Sequence, residues 1–195
     1  GFFTKGNLLV THIPDGVKDK HSAGATLKKL KINSNGFGCH GGFYEIWEKI
    51  KRGCVAQHNM DTVSYIYSRW KRRVVQGASN RIVLVGHSMG ACLTCIAAYQ
   101  LVKRHPELKH KIKIINLGSP LFARKGFCEW IDKNIEVLNV CLVGDPTVAL
   151  PGLPFTGWYA PGRRLWVSSK GVTLFDQPHA HFQYWELLRV FLLRF

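Results

Sequence analysis

Apolar positions along this chain follow two rhythms. Residues 82–85, 112–117 and 137–143 are short, nearly continuous runs rich in Val, Ile and Leu. Such runs mark strands of a parallel sheet covered on both faces. Between them the spacing changes to that of helices, with Phe43, Ile46, Trp47 and Ile50 on one stripe and Val63, Ile66, Tyr67 and Trp70 on the next. Residues 91–103 predict a further helix, closed near Pro106, and residues 122–133 another. At the amino end, residues 8–12 predict a short strand before the turn of Pro14, Asp15 and Gly16; residues 17–33 are polar and lysine-rich, and 36–42 form a glycine-dense turn. After Gly144 a Pro- and Gly-rich stretch runs through Pro161 and Gly162. Short strands at 165–167 and 172–174 and a closing helix over 182–195 are expected beyond it. Strands alternating with helices predict an α/β architecture: a mostly parallel sheet with helices on both faces, in one domain spanning 1–195, with ligands at the carboxyl ends of the strands.

Charge adds a second layer. Against 12 acidic residues stand 27 Lys and Arg, for a net charge of +15. A surface of this kind attracts polyanions, and an anionic membrane or lipid interface fits it. Specific nucleic-acid binding does not follow, because no RNP, zinc-finger or KH pattern accompanies the charge. No apolar run approaches the roughly 18 residues that cross a bilayer, so the chain reads as soluble. Residues 1–11 lack the charge and length of a signal peptide, although a start at Gly1 is compatible with removal of an upstream segment. The sequence leaves the compartment and the oligomeric state open.

Of the six cysteines, Cys92 and Cys95 fall on an apolar helix and Cys141 in an apolar strand, where free cysteine behaves as a small buried hydrophobe. A reducing compartment suits them. Their C-x-x-C spacing has no second pair for zinc and no redox-motif context, so no metal is expected.

Chemistry concentrates in Gly86-His87-Ser88-Met89-Gly90, between a predicted strand and a predicted helix. Strand, Gly-x-Ser-x-Gly, helix is the order of a nucleophile elbow. A serine on so tight a turn takes a strained backbone, and side chains two positions to either side would collide with the adjoining elements; Gly86 and Gly90 remove them. The hydroxyl needs a base, and the base a carboxylate. Chain order on this kind of fold places an acid and then a histidine after the serine. Asp145 stands just beyond a core strand, with Asp176 as the alternative, and His179 and His181 are the histidines that remain.

At this point the chain resembles the class 3 lipases, a fungal lipase-like family of α/β-hydrolases. The resemblance rests on "HGGF" from His40 to Phe43, the elbow itself, a strand ending in Gly118-Ser119-Pro120, "DPTVALPGLP" from Asp145, and His181-x-x-Tyr184. The family's His-x-x-Tyr pattern selects His181 over His179. It implies an α/β-hydrolase fold and a serine hydrolase cleaving carboxylic esters, a lipase or esterase acting on lipid esters through Ser88, Asp145 and His181, without cofactor. The oxyanion hole would take one N–H from Met89. The second is expected from His12 or Ile13, since the family's Arg-Gly-Ser or Arg-Gly-Thr is replaced by "VTHIPDG" and Pro14 has no N–H. That departure supports a rival reading, a catalytically impaired relative that binds a lipid or a protein. Leu150, Leu153, Phe155 and Trp158 are placed to line an acyl pocket or simply to pack.

Overall fold

In this computed structural model, the structure describes residues 8–10, 29–31, 38–78, 80–149 and 158–167. The elements in chain order are β1 (Leu8–Val10), β2 (Lys29–Lys31), β3 (Gly38–His40), α1 (Gly41–His58), α2 (Thr62–Val75), β4 (Ile82–His87), α3 (Met89–Arg104), β5 (Ile112–Leu117), α4 (Lys125–Asn134), β6 (Glu136–Leu142) and β7 (Arg163–Val167). Among the described residues five strands form one sheet in the order β1-β4-β5-β6-β7. Every neighbouring pair is parallel.

Period-2 alternation sends each buried strand's residues to two faces. Ile82, Leu84, Ile112, Ile114 and Val137 face the larger core with α1, α3 and α4. Val85, Leu117, Val140, Leu142 and Val167 make a second cluster on the opposite face. Because α3 lies between the sheet and α1, it is apolar nearly all round, and Gly90 to Tyr99 are buried without a break. Phe122 and Phe127, both fully buried, meet edge to face with centroids 6.0 Å apart. Each such ring removed from water stabilises by roughly 1.5–3 kcal/mol.

The helices end where their caps say they should. Asp61 Oδ1 accepts from Val63 N at 2.9 Å and Ser64 N at 3.2 Å at the start of α2. Arg104 at the end of α3 donates to both of its carboxylate oxygens, at 2.9 and 2.8 Å. Partial burial opposes the charge on Asp61, but these hydrogen bonds outweigh it and hold the carboxyl below its ordinary pKa.

Three sequence expectations change. Residues 29–31 and 38–40, read as polar and turn-like, pair as the antiparallel strands β2 and β3. The helix expected from Phe122 starts instead at Lys125. Residues 122–124 are extended because their backbone is in use: His40 N donates to Phe122 O (2.7 Å), Ala123 N to Tyr159 O (3.0 Å) and Arg124 N to Gly38 O (2.9 Å). The strand expected at 165–167 begins at Arg163, and its entry requires glycine. Gly162 has φ +90°, and a Cβ there would stand 2.6 Å from Val137 O and Val137 Cβ. The strand expected at 172–174 and the helix at 182–195 lie outside the described residues, as do the turn at 14–16 and residues 36 and 37 of the glycine-dense turn.

All six cysteines are free, and Cys39, Cys92, Cys95, Cys128 and Cys141 are buried. Burial pushes the Cys39 and Cys95 thiols up to about 12 and Cys141 up to about 11. Cys92 and Cys128 move in the same direction for the same reason. Since the thiolate is the reactive form, iodoacetamide at pH 8 should modify the native protein at the half-buried Cys54 alone and the urea-unfolded protein at all six. Early modification of Cys92 or Cys95, read by peptide mass mapping, would contradict this packing.

Candidate active site

Ser88 stands at the junction of β4 and α3 with φ 54° and ψ −123°. This is a conformation in which side chains of L-residues crowd their own backbone, and it costs on the order of 1–3 kcal/mol unless its surroundings impose it. Here they do. Ser88 N donates to Leu117 O of β5 at 2.9 Å, and Ser88 O accepts from Ala91 N at 3.0 Å. The first turn of α3 lies directly on β4, so that a Cβ on Gly86 would overlap the Gly90 carbonyl oxygen and stand 2.6 Å from Ala91 N. Gly90 is buried in that contact. Met89 is the first residue of α3, where a backbone N–H has no partner within its own helix and the helix dipole favours negative charge.

Asp145 follows β6 at the same edge of the sheet and is 3% exposed. Its N–H bonds Leu142 O at 3.2 Å. Its Oδ1 accepts from Thr147 N at 2.8 Å, which fixes the carboxylate against the short helical turn Pro146–Ala149. Ser88 and Asp145 thus sit beyond the carboxyl ends of β4 and β6, with only β5 between them. Two strand spacings amount to roughly 10 Å. Of the residues read from the sequence, Gly86, Ser88, Met89, Gly90 and Asp145 are brought to this edge. His181, His12 and Ile13 lie outside the described residues, as do His179, Asp176, Leu150, Leu153 and Phe155.

His40 caps α1, its Nδ1 accepting from Gly42 N at 3.2 Å. Its ring packs 5.1 Å from Phe43 and 5.7 Å from Trp158. Trp158, expected at a pocket wall or in ordinary packing, is buried beneath the Arg124 guanidinium, whose carbon is 4.0 Å from the ring centroid. Histidine is not a preferred capping residue, so position 40 was legible only through the "HGGF" resemblance.

A buried polar row went unread altogether. Thr94, Asn116 and Asn139 are 1%, 0% and 0% exposed. The Thr94 hydroxyl lies 2.8 Å from Ala91 O and 2.9 Å from Asn116 Oδ1. Asn116 Nδ2 donates to Asn139 Oδ1 at 3.1 Å, and Asn139 Nδ2 to Pro161 O at 2.6 Å. Its sequence signal was present: an uncharged amide inside each of two apolar strands, "IKIINL" and "EVLNVCL".

With this geometry in hand, the kinship is clear: the chain belongs to the class 3 lipase family, whose profile, described as Lipase (class 3), matches residues 12–155. Its fold is the α/β-hydrolase fold of the fungal lipases. Similar solved structures include the lipase from Rhizopus microsporus var. chinensis, at 16% identity and TM-score 0.58, with 73% of this chain and 46% of that chain covered. The triacylglyceride lipase of Rhizomucor miehei matches at 19% identity and TM-score 0.58, over 73% of this chain and 50% of that one. An MDLA mutant from Penicillium cyclopium matches at 20% identity and TM-score 0.63, over 88% and 61%. The chain therefore spans roughly half the length of these relatives. A search of curated proteins gave no match. Among the described residues no helix is long and apolar enough to cross a membrane.

Two outcomes are expected. Gly86→Ala should lower stability by about 1–3 kcal/mol or more through overpacking, read from urea midpoints; Gly126→Ala, with nothing within 4 Å of its added Cβ, serves as the tolerated control. Equal midpoints for the two would deny the close contact of α3 with β4. For His40, burial lowers the pKa from its ordinary 6.5. The unfolded chain then binds the proton more readily, so the cap's contribution is complete above about pH 6.5 and fades as pH falls through the folded value. His40→Asn, which keeps an acceptor but does not titrate, should flatten the decline of the melting temperature below pH 6.5, and an unchanged decline would remove His40 as its source.

Proposed function

We propose that this chain is a serine hydrolase that cleaves carboxylic esters as a lipase or esterase does, with Ser88 as nucleophile, His181 as base and then acid, and Asp145 orienting the imidazole. The observation that carries this reading is the strained, over-determined backbone of Ser88 at the β4–α3 junction. A merely structural serine needs no such conformation, whereas a nucleophile gains an exposed approach over the sheet edge and a helix amino terminus beside it. Asp145 supports the reading by its place: a buried carboxylate two strands away at the same edge. Thirteen residues separate Val167 from His181, enough at about 3.3 Å each to return the histidine over β5.

In the proposed reaction Ser88 Oγ attacks the ester carbonyl carbon while His181 Nε2 takes the hydroxyl proton. The Met89 N–H, with one from His12 or Ile13, binds the oxyanion that forms. Collapse breaks the bond to the alkoxy oxygen, which leaves as the alcohol with the proton from His181. Water, deprotonated by His181, then attacks the acyl carbon, and the bond to Ser88 Oγ breaks as His181 returns the proton to that oxygen, releasing the acid. Each oxyanion donor is worth roughly 3–4 kcal/mol in hydrolases of this type.

For the substrate we propose a lipid ester. Family membership supports this, as does the apolar run of Leu150, Leu153 and Phe155 directly after the acid. The net charge of +15 suits approach to an anionic lipid interface.

A fluorophosphonate probe should label the wild type and leave Ser88→Ala unlabelled. Asp145→Asn should slow p-nitrophenyl ester hydrolysis by about 10⁴-fold. His181→Ala should be as inactive as Ser88→Ala, while His179→Ala keeps activity. A wild type that takes no label, or loss of activity with His179→Ala in place of His181→Ala, would overturn the assignment.

A further inference from the structure

Beyond the triad, and resting on the reading of Ser88 as nucleophile, we infer that Thr94 and Asn116 are positioning residues that hold the elbow in its reactive shape. Gly86, Asn116 and Asn139 are register partners across β4, β5 and β6, so they form one level of the sheet on the side facing α3. At that level α3 is held in two ways. Gly86 lets its first turn descend onto the strand, and Thr94, one helical turn beyond Gly90, is drawn sideways to Asn116 at 2.9 Å.

The same hydroxyl reaches Ala91 O at 2.8 Å, and Ala91 N in turn bonds Ser88 O. The next residue of β5 completes the grip, because Leu117 O receives the Ser88 N–H at 2.9 Å. One strand therefore binds the nucleophile's own backbone through residue 117 and the helix behind it through residue 116. Asn116 is kept from turning away by its amide nitrogen, which donates to Asn139 Oδ1 and lies 3.5 Å from Cys95 Sγ. Asn139 is anchored on Pro161 O in the segment that returns from the Asp145 loop. All three side chains are buried, where a satisfied polar network rigidifies its surroundings and a broken one is costly. Apolar residues at these positions would pack the core equally well without giving α3 a fixed lateral place. The network is matched to that task.

Thr94→Val removes the hydroxyl and keeps the shape; Thr94→Ser keeps the hydroxyl and loses a methyl. In folded protein, the second-order rate of fluorophosphonate labelling should fall about ten- to a hundred-fold in Thr94→Val, as a displacement near 1 Å can cause, and recover in Thr94→Ser. Asn116→Val should lose rate likewise. Hydrogen exchange should show faster exchange confined to residues 86–91 in Thr94→Val. A purely structural role predicts that Thr94→Val loses stability while its labelling per folded molecule and its exchange at 86–91 stay at the wild-type level. Equal labelling rates of wild type and Thr94→Val, with equal exchange at 86–91, would overturn the positioning role alone. A wild type that takes no label would overturn the nucleophile and this inference together.

Discussion

The contact between the first turn of α3 and the backbone of β4 is the constraint on which the rest of this molecule depends. Helices normally ride a side chain's width above a sheet. Here Gly86 removes the spacer, and the Gly90 carbonyl and Ala91 amide come down to the strand. The turn between them must then be made in a single residue, and Ser88 makes it at φ 54°. Strain at the serine, its half-buried place at the sheet edge and the amino terminus of α3 beside it are thus consequences of one close approach. The cost is met by the burial of α3, which fills the core from Gly90 to Val102.

A helix so uniformly apolar has a difficulty of its own. Hydrophobic contact is non-directional, so a smooth apolar cylinder on a smooth apolar sheet has little to fix its rotation or its slide. Directional bonds supply what packing lacks. Asn116 and Asn139 place amides at one level of the sheet, and Thr94 engages them from the helix. At the far end of α3, Arg104 is clamped to Asp61. Trp47 adds a third tie from α1, its Nε1 donating to Gln100 at 3.0 Å. The buried thiols are the opposite case: small, soft and undirected, they fill space among these bonds, and their high pKa values keep them inert.

Much of this was legible in the sequence, and the part that was not has identifiable causes. Hydrophobic runs located β4, β5 and β6 to within a residue or two, because strands buried on both faces leave no polar alternation to misread. The elbow was legible because the close approach of α3 to β4 leaves no room for a Cβ at Gly86. Residues 122–124 were misread as helical because helical spacing was the local preference, while the pairing with Gly38, His40 and Tyr159 that overrides it is non-local. For the same reason β2 and β3 were hidden: neither run is apolar enough to announce a strand, and each is defined by its partner. The asparagines were visible as letters but had no meaning until the register set them side by side. Ser88 and Asp145 were candidates from chain order and position, and the structure adds that they share one edge of the sheet. His181 rests on the family pattern around it.

Sequence distance within the polar row has a consequence for how the protein is made. Its members enter in the order Thr94, Asn116, Asn139 and Pro161, and the last leaves the ribosome 73 residues after Ser88. At about 5–20 residues per second this delay is roughly 4–15 s. The nascent chain can curl its elbow early, but the strands that hold it are still being translated. The serine is among the first parts of the sheet edge to emerge and among the last to be locked in place.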